Sequence, residues 1–174
     1  MRIFLVGFMG SGKSYIGRPL AAKLSFQFVD VDNIIENTEG VKIARIFENK
    51  GETYFRQLES DILRGLGKWD DIVIATGGGA ACFHKNMDWM NEQGVTIYLK
   101  ASPELLLSRL NNETHKRPLL AGRTDADLLH FIESKIAERA IFYEKATLII
   151  EQISDSEDIV VDIINALYNR ISQN

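Results

Sequence analysis

The sequence predicts an α/β fold with three layers, in which helices cover both faces of a five-stranded, doubly wound parallel sheet. Five apolar segments with the character of strands alternate along the chain with segments whose apolar residues recur at helical spacing. Strands and helices that alternate in this order form parallel sheets. The chain has 174 residues, which is enough for one domain with a sizeable core. We therefore expect residues 1–174 to form a single domain.

The first strand, Ile3–Val6, leads directly into a glycine-rich loop. Residues Gly7–Ser14 follow the pattern G-x-x-x-x-G-K-[ST], whose backbone N–H groups surround phosphate oxygens at the start of a helix. Lys13 would reach the outer phosphates, and the Ser14 hydroxyl would bind Mg²⁺. The predicted nucleotide contacts in this segment are Gly10, Ser11, Gly12, Lys13, Ser14 and Tyr15.

Two other interpretations of this loop are weaker. A glycine-rich turn with an exposed lysine would explain the composition but not the position between a strand and a helix. A dinucleotide-binding fingerprint fails because Tyr15 stands where its third glycine would be. The loop therefore predicts a phosphate-binding site.

Two aspartates follow the second strand. After a helix at about 12–25, Phe26–Asp30 has the character of a strand that continues into Asp32. Ligands of an open α/β sheet lie beyond the carboxyl ends of the strands, and strand geometry would point Asp30 and Asp32 the same way. One carboxylate can serve Mg²⁺ and the other a hydroxyl proton. Alternatively, the aspartates cap the helix that begins near Asn33, and both roles can coexist.

Residues 38–67 predict a pair of helices, with Gly51 as the C-terminal stop of the first. On the second helix Arg56 and Glu59 are three residues apart and therefore share a face. Arg56 is either a binding residue or half of a surface ion pair with Glu52 or Glu59, and such pairs are common and weak. The helices alone leave both interpretations open.

Three consecutive glycines follow the third strand. The apolar run Asp71–Thr76 suits a strand buried on both faces, and it ends in Gly77–Gly79 rather than in an acid. Many phosphate-loop enzymes have a magnesium-side aspartate at that strand end, so its absence assigns this role to Asp30. The glycines would let a ligand approach the backbone closely, and a flexible turn is the alternative.

The second half of the chain continues the alternation. Helices are expected at 84–93, 102–110, 127–143 and 156–171, and strands at 95–99 and 146–150. Residues 111–124 lack apolar periodicity and contain Arg117, which indicates a lid over the phosphates or, alternatively, a surface loop. Arg139, near the end of its helix, is either a binding residue or a partner of the helix dipole.

The composition disfavours several functions. The net charge is −4 and the charges are interspersed, which argues against general binding to nucleic acid or to a membrane surface. One cysteine excludes an internal disulfide framework, and three scattered histidines make no zinc spacing. No apolar run approaches membrane-spanning length. We expect a soluble, cytoplasmic, monomeric protein that binds small molecules.

Taken together, these motifs resemble those of the shikimate kinase family, within the nucleoside monophosphate kinase-like group of phosphate-loop proteins. The resemblance covers essentially the whole chain. It rests on Gly7–Ser14, Asp30–Asp32, Gly51–Glu52 with Phe55, Arg56 and Glu59, Gly77–Gly79, Arg117–Leu120, and Arg139 with Tyr143. It implies the strand order 2-3-1-4-5 and transfer of the γ-phosphoryl group of ATP to the 3-hydroxyl of shikimate, with Mg²⁺. That reaction lies on the route to chorismate and the aromatic amino acids.

The resemblance also implies a role for each site residue. The catalytic residues would be Asp32 as the base, Lys13 and Arg117. The residues that contact shikimate would be Asp32, Glu59, Gly77, Gly78, Gly79 and, at its carboxylate, Arg56 and Arg139. Nucleotide contacts beyond the phosphate loop would come from Arg117 and, near the adenine base, Arg109; the metal residues would be Ser14 and Asp30. The substrate-binding helices would span about 33–67 and the lid about 111–124.

Two other functions fit parts of the sequence. Another phosphate-loop kinase, acting on gluconate or a nucleotide, would keep the phosphate loop but would not need Arg56, Gly77–Gly79 and Arg139 together. A GTP-binding switch protein is the second alternative, because Asn49–Glu52 faintly resembles a guanine-specificity tetrapeptide. That segment precedes the third strand and ends in glutamate, which disfavours this function.

Overall fold

The computed structural model describes residues 1–111, 124–152 and 158–172. The strands are β1 (Arg2–Val6), β2 (Gln27–Asp30), β3 (Ile72–Ala75), β4 (Val95–Ala101) and β5 (Leu148–Gln152). The helices are α1 (Lys13–Leu24), α2 (Val31–Glu39), α3 (Ile43–Gly65), α4 (Asn86–Gln93), α5 (Pro103–Asn111), α6 (Asp125–Tyr143) and α7 (Ile159–Ile171). Short 3₁₀ turns lie at Leu66–Lys68 and Ala80–Cys82.

The five strands form one parallel sheet in the order β2-β3-β1-β4-β5, which confirms the expected order. β1 is the central strand, and its residues Ile3–Val6 are 0% exposed. An apolar run suits this position because strands on both sides and helices on both faces exclude water. Since all the strands are parallel, their carboxyl ends share one edge of the sheet, where ligands of such folds bind.

Side chains that alternate along β1 pack into two separate hydrophobic layers. Phe4 and Val6 pack with residues of α2, α3 and α4, whereas Ile3 and Leu5 pack with residues of α1 and α7. Successive residues of a strand point to opposite faces, so β1 contributes to both layers. This arrangement confirms the expected three-layer architecture.

The second strand ends earlier than the sequence suggested. Asp30 is the last residue of β2, and Asp32 lies in the first turn of α2. The prediction that strand geometry points both aspartates the same way is therefore wrong. The physical reason is capping: Asp30 Oδ1 accepts hydrogen bonds from the backbone N–H groups of Asp32 and Asn33, at 3.0 and 3.4 Å, which starts the helix at once.

The helix α3 breaks at Gly51, where φ is 79° and ψ is 172°. This conformation is available to glycine without strain, so the chain changes direction there and a second helical segment begins. The expected pair of helices with a stop at Gly51 is thus confirmed. α2 adds a further helix before them, so three helical segments lie between β2 and β3.

Several other boundaries differ from those expected, and three of the differences have a clear physical reason. α6 begins at Asp125, because Thr124 and Asp127 form a reciprocal capping box. β5 runs from Leu148 to Gln152, because its final residues pair with Lys100 and Ala101 of β4. α7 begins at Ile159, where the Asp158 side chain accepts a hydrogen bond from the Val161 N–H group.

Most of the expected lid, with Arg117, lies outside the described residues. Within the described ranges, no helix has the length and apolar character needed to cross a membrane.

Candidate active site

The phosphate loop curls at the carboxyl end of β1 and leads into α1. Gly10 and Gly12 have φ angles of 82° and 85°, in the left-handed region that glycine adopts readily. Gly12 precedes α1 directly, and no side-chain hydrogen bond from a described residue caps this helix start. The backbone N–H groups of the first turn, including that of Ser14, therefore suit anionic oxygens. The Tyr15 side chain is exposed (85%), so its predicted contact would come from the backbone.

Lys13 folds back along this loop. Its Nζ atom donates to the carbonyl oxygens of Gly7 and Phe8 at 2.8 and 2.9 Å, and it lies 3.4 Å from Ser11 Oγ. The residue is only 9% exposed. The ammonium group thus lies inside the curl of the backbone, where phosphate oxygens can replace carbonyl oxygens as its partners.

Ser14 and Asp30 connect the phosphate loop to the end of β2. The Ser14 hydroxyl donates a hydrogen bond to Asp30 Oδ2, and Asp30 Oδ1 caps α2. A hydroxyl and a carboxylate are hard oxygen ligands of the kind that Mg²⁺ prefers. No group of three metal-ligating His, Cys, Asp or Glu side chains occurs within the described part of the chain. The pair therefore fits a magnesium ion that takes its remaining ligands from phosphates and water, which is how Mg²⁺ is usually bound.

Arg56 is held rigidly on α3. Its Nη1 atom donates to Glu59 Oε2 at 2.8 Å, and its Nε atom lies 3.3 Å from Glu52 Oε1. Three aromatic rings surround the guanidinium carbon, with centroids at 4.5, 5.1 and 6.0 Å: Phe83, Phe55 and Phe47. The expected ion pairs of Arg56 with Glu52 and Glu59 are present, but the pair with Glu59 is buried rather than on the surface, because Arg56 is 9% exposed and Glu59 is 0% exposed. A planar, fixed guanidinium of this kind suits bidentate binding of a carboxylate.

Glu59 and Asp32 both lie close to Gly77. A Cβ atom on Gly77 would be 2.1 Å from Glu59 Oε1 and 3.1 Å from Asp32 Oδ1, so only glycine fits at this position. Glu59 Oε1 is buried and accepts no hydrogen bond from the described residues. Burial raises the pKa of Glu59, although the positive charge of Arg56 opposes this effect.

The other two glycines join this cluster to Arg139 and to the phosphate loop. A Cβ atom on Gly79 would be 2.6 Å from Arg56 Nη2, and one on Gly78 would be 3.1 Å from the Met9 backbone nitrogen. The Gly78 carbonyl accepts hydrogen bonds from Arg139 Nη1, at 3.4 Å, and from the Tyr143 hydroxyl. Arg56 and Arg139 therefore lie around the same glycine triplet, beside the phosphate loop.

Tyr143 and Gln152 are two site residues for which the sequence analysis predicted no role. Tyr143 is 0% exposed, stacks on Tyr98 at 5.0 Å between ring centroids, and fixes the Gly78 carbonyl. Gln152, at the end of β5, is 2% exposed and contacts both Arg109 and the Ser11 carbonyl. The sequence analysis ends the fifth strand at residue 150, so no local pattern indicated that Gln152 belongs to the strand or to the site.

Comparison with known proteins places this site in a family. The sequence profile described as shikimate kinase matches residues 9–168. The chain is 43% identical over 149 residues to the shikimate kinase of Bacteroides fragilis, covering 86% of this chain and 83% of that protein. It is 41% identical over 169 residues to that of Parabacteroides distasonis, covering 95% and 96%.

Solved structures show the same similarity. The shikimate kinase of Bacteroides thetaiotaomicron superposes with a TM-score of 0.91 at 35% identity, covering 99% of this chain and 98% of that one. A shikimate kinase of Acinetobacter baumannii in complex with shikimate superposes with a TM-score of 0.87 at 34% identity, covering 97% and 93%. A gluconokinase of Sinorhizobium meliloti has a TM-score of 0.53 at 17% identity, which shows a shared fold alone.

Proposed function

Since the chain belongs to the shikimate kinase family, we propose that it transfers the γ-phosphoryl group of ATP to the 3-hydroxyl of shikimate, forming shikimate 3-phosphate and ADP. The structural observation that supports this function best is the position of Arg56 and Arg139. Both lie around the Gly77–Gly79 backbone, beside the phosphate loop. Two guanidinium groups at one end of a phosphate-transfer site suit a small acceptor that carries a carboxylate.

The nucleotide end of the site is the phosphate loop. The backbone N–H groups from Gly10 to Tyr15 would bind the β- and γ-phosphates. The Lys13 ammonium group, which donates to the Gly7 and Phe8 carbonyls in this structure, would then donate to phosphate oxygens instead. Ser14 and Asp30 would hold Mg²⁺, which when bound neutralises charge on the phosphates. Arg117, which lies outside the described residues, would close over the same phosphates. Preorganised positive charge of this kind is the main catalytic term in phosphoryl transfer.

The acceptor end lies between α2, α3 and the glycine triplet. Arg56 and Arg139 would bind the shikimate carboxylate, and the backbone at Gly78 and Gly79 would approach the ring closely. Asp32, at the start of α2, would orient the 3-hydroxyl and accept its proton as the oxygen attacks the γ-phosphorus. The buried Glu59 would hold Arg56 in place and offer its second oxygen to a hydroxyl donor. The oxygen–phosphorus bond to ADP breaks as the new ester bond forms.

The two alternative functions fit the structure less well. A gluconate or nucleotide kinase would share the fold but would leave the arginine pair around the triplet unused. A GTP-binding switch protein would need its base-specificity segment after a strand, whereas Asn49–Glu52 lies inside α3 at the Gly51 break. Neither alternative is favoured by the family to which the chain belongs.

A coupled assay of ADP release tests the proposed function. Shikimate, gluconate and a panel of nucleoside monophosphates are compared at fixed MgATP. Of these acceptors, we expect only shikimate to support turnover. If shikimate supports no turnover, the protein does not have this function. We also propose a cytoplasmic monomer, for which light scattering of the purified protein tests the oligomeric state.

A further inference from the structure

The side-chain amide of Gln152 connects three parts of the nucleotide end. Its Nε2 atom donates to the Ser11 carbonyl at 3.0 Å. Its Oε1 atom accepts from both terminal nitrogens of Arg109, Nη1 and Nη2, at 3.0 Å each. Arg109 Nη1 also lies 3.2 Å from the Gly10 carbonyl. One buried amide therefore links the end of β5 to α5 and to the phosphate loop.

The geometry of the Arg109 contact fixes the plane of the guanidinium. Two N–H donors that converge on one oxygen place that oxygen near the guanidinium plane, at the edge between Nη1 and Nη2. A guanidinium that is bound along its edge presents its planar faces for stacking on an aromatic ring. Without Gln152, the long Arg109 side chain would sample several rotamers and lose entropy when a ring stacked on it.

The burial of Gln152 indicates a role beyond filling space. Burying an amide is unfavourable unless its polar atoms are hydrogen-bonded, and an apolar residue would complete the strand without that requirement. Neither of its partners, Ser11 and Arg109, belongs to the sheet, and both lie at the nucleotide end. The bonds therefore maintain the arrangement of this end rather than the sheet itself.

We propose that Gln152 is a positioning residue for the nucleotide base: it fixes the plane of the Arg109 guanidinium so that one face stacks on the base of ATP. This inference rests on the proposed function, in which Arg109 contacts the adenine base. The Gln152 amide bonds the Ser11 carbonyl and Arg109, and neither of these is a backbone N–H group of the phosphate loop. We therefore expect the larger effect on ligands that carry a base.

Binding of ADP and of tripolyphosphate, measured by calorimetry at fixed Mg²⁺, separates this role from a general effect on the phosphate loop. We expect Gln152→Leu to lower the affinity for ADP by about tenfold, which is the effect of losing a hydrogen bond to a charged group. The affinity for tripolyphosphate should change by less than about twofold. Gln152→Glu keeps an acceptor for Arg109 and should restore most of the ADP affinity. Gln27→Leu is the matched control, because this glutamine is exposed on the opposite edge strand of the same sheet.

A double-mutant cycle tests whether the effect passes through Arg109. In an Arg109→Ala background, Gln152→Leu should lower the affinity for ADP by less than about a further twofold, because the arginine that Gln152 positions is already absent. Equal loss of ADP and tripolyphosphate binding, or additive effects in the cycle, would overturn the proposal. Should Gln152→Leu not fold, Gln152→Asn provides the same comparison, because its shorter side chain withdraws the acceptor from Arg109. Absence of shikimate-dependent turnover in the unmodified protein would instead refute the proposed function, so the two failures are distinguishable.

Discussion

Glu59 binds Arg56 through one carboxylate oxygen, at 2.8 Å, while its other oxygen lies 2.1 Å from the point where a Cβ atom on Gly77 would be. The ion pair and the glycine triplet therefore constrain each other. A side chain at position 77 would displace Glu59, and a displaced Glu59 would release Arg56. The position of Arg56, for which we propose binding of the shikimate carboxylate, therefore requires that residue 77 have no side chain.

The first prediction concerns Gly77→Ala. We expect this variant to remain folded and to raise KM for shikimate by about tenfold or more, because Arg56 loses its charge-assisted partner. Gly65→Ala is the matched control: no atom lies within 4 Å of its Cβ position, and its φ and ψ of −60° and −30° are helical. This control should leave KM unchanged and raise the free energy of unfolding by about 0.4–1 kcal/mol. Steady-state kinetics and urea unfolding measure both effects, and a Gly77→Ala enzyme with unchanged KM would contradict the coupling.

The second prediction concerns the pH dependence of stability. Burial raises the pKa of Glu59 above its ordinary value of 4.5, so between that value and the raised pKa the folded protein binds more protons than the unfolded chain. The free energy of unfolding of the wild type, relative to that of Glu59→Gln, should therefore fall as the pH rises through this interval. Below the ordinary pKa the difference should be constant. Urea unfolding of both proteins across a pH series measures this difference, and a difference independent of pH would show that folding leaves the pKa of Glu59 at its ordinary value.

The sequence predicts the phosphate loop better than the arrangement around Asp32, and the reason is locality. The phosphate loop is one continuous segment whose glycines and lysine determine its own conformation. The segment Phe26–Asp30 predicts a strand that continues into Asp32, whereas the capping hydrogen bonds of Asp30 start a helix at the next residue. A choice between a strand end and a helix cap depends on hydrogen bonds that the residue pattern does not specify.

Contacts between distant residues explain what the sequence could not predict. Gln152 lies 141 positions from Ser11 and 43 from Arg109, so only the strand order brings these side chains together. Phe83 reaches the face of Arg56 from the segment after β3. Neither residue has a local pattern that distinguishes it from a solvent-exposed glutamine or a core phenylalanine.

The third prediction concerns the arginine pair. Arg139 Nη1 lies 3.4 Å from the carbonyl oxygen of Gly78, in the glycine triplet where we propose that the acceptor binds. Arg139→Ala should weaken shikimate binding by about 1.5–3 kcal/mol, the range for a charge-assisted contact, and should leave ADP binding unchanged. Arg45→Ala, which removes an exposed arginine of α3, serves as the control. Calorimetric titration measures the affinity for each ligand. An equal loss of affinity for shikimate and for ADP would contradict the assignment of Arg139 to shikimate binding.

The fourth prediction concerns the proposed magnesium site. Asp30→Asn removes a negative charge next to Ser14 but keeps a good N-cap residue for α2, so the helix should still begin at the same position. We expect the Mg²⁺ concentration for half-maximal activity to rise by roughly 10–100-fold, as is typical when a partner of a metal ligand is lost. Asp158→Asn is the control, because Asp158 caps α7 in the same way. An unchanged magnesium requirement for Asp30→Asn would remove Asp30 from the metal site.

The fifth prediction separates catalysis from binding at Asp32. Its carboxylate lies at the start of α2, beside Gly77 and near Glu59, whereas in the proposed function the nucleotide binds to backbone groups of the phosphate loop and to Lys13. Asp32→Asn keeps the size of the side chain and its ability to accept a hydrogen bond, but makes it a far weaker base. We therefore expect kcat to fall by about 10²–10⁴-fold, the usual contribution of a general base, while the Kd for ADP stays within about twofold.

Measurements of the chemical step decide between a base and a purely positioning role for Asp32. Rapid-quench assays of a single turnover report phosphoryl transfer itself, so a slow product-release step cannot conceal the loss. Asp32→Glu restores a carboxylate at a displaced position and should recover part of the rate if proton acceptance is the main contribution. A fall in the single-turnover rate of less than about tenfold for Asp32→Asn is too small for a general base, and it would assign proton acceptance to another group or to the phosphate itself.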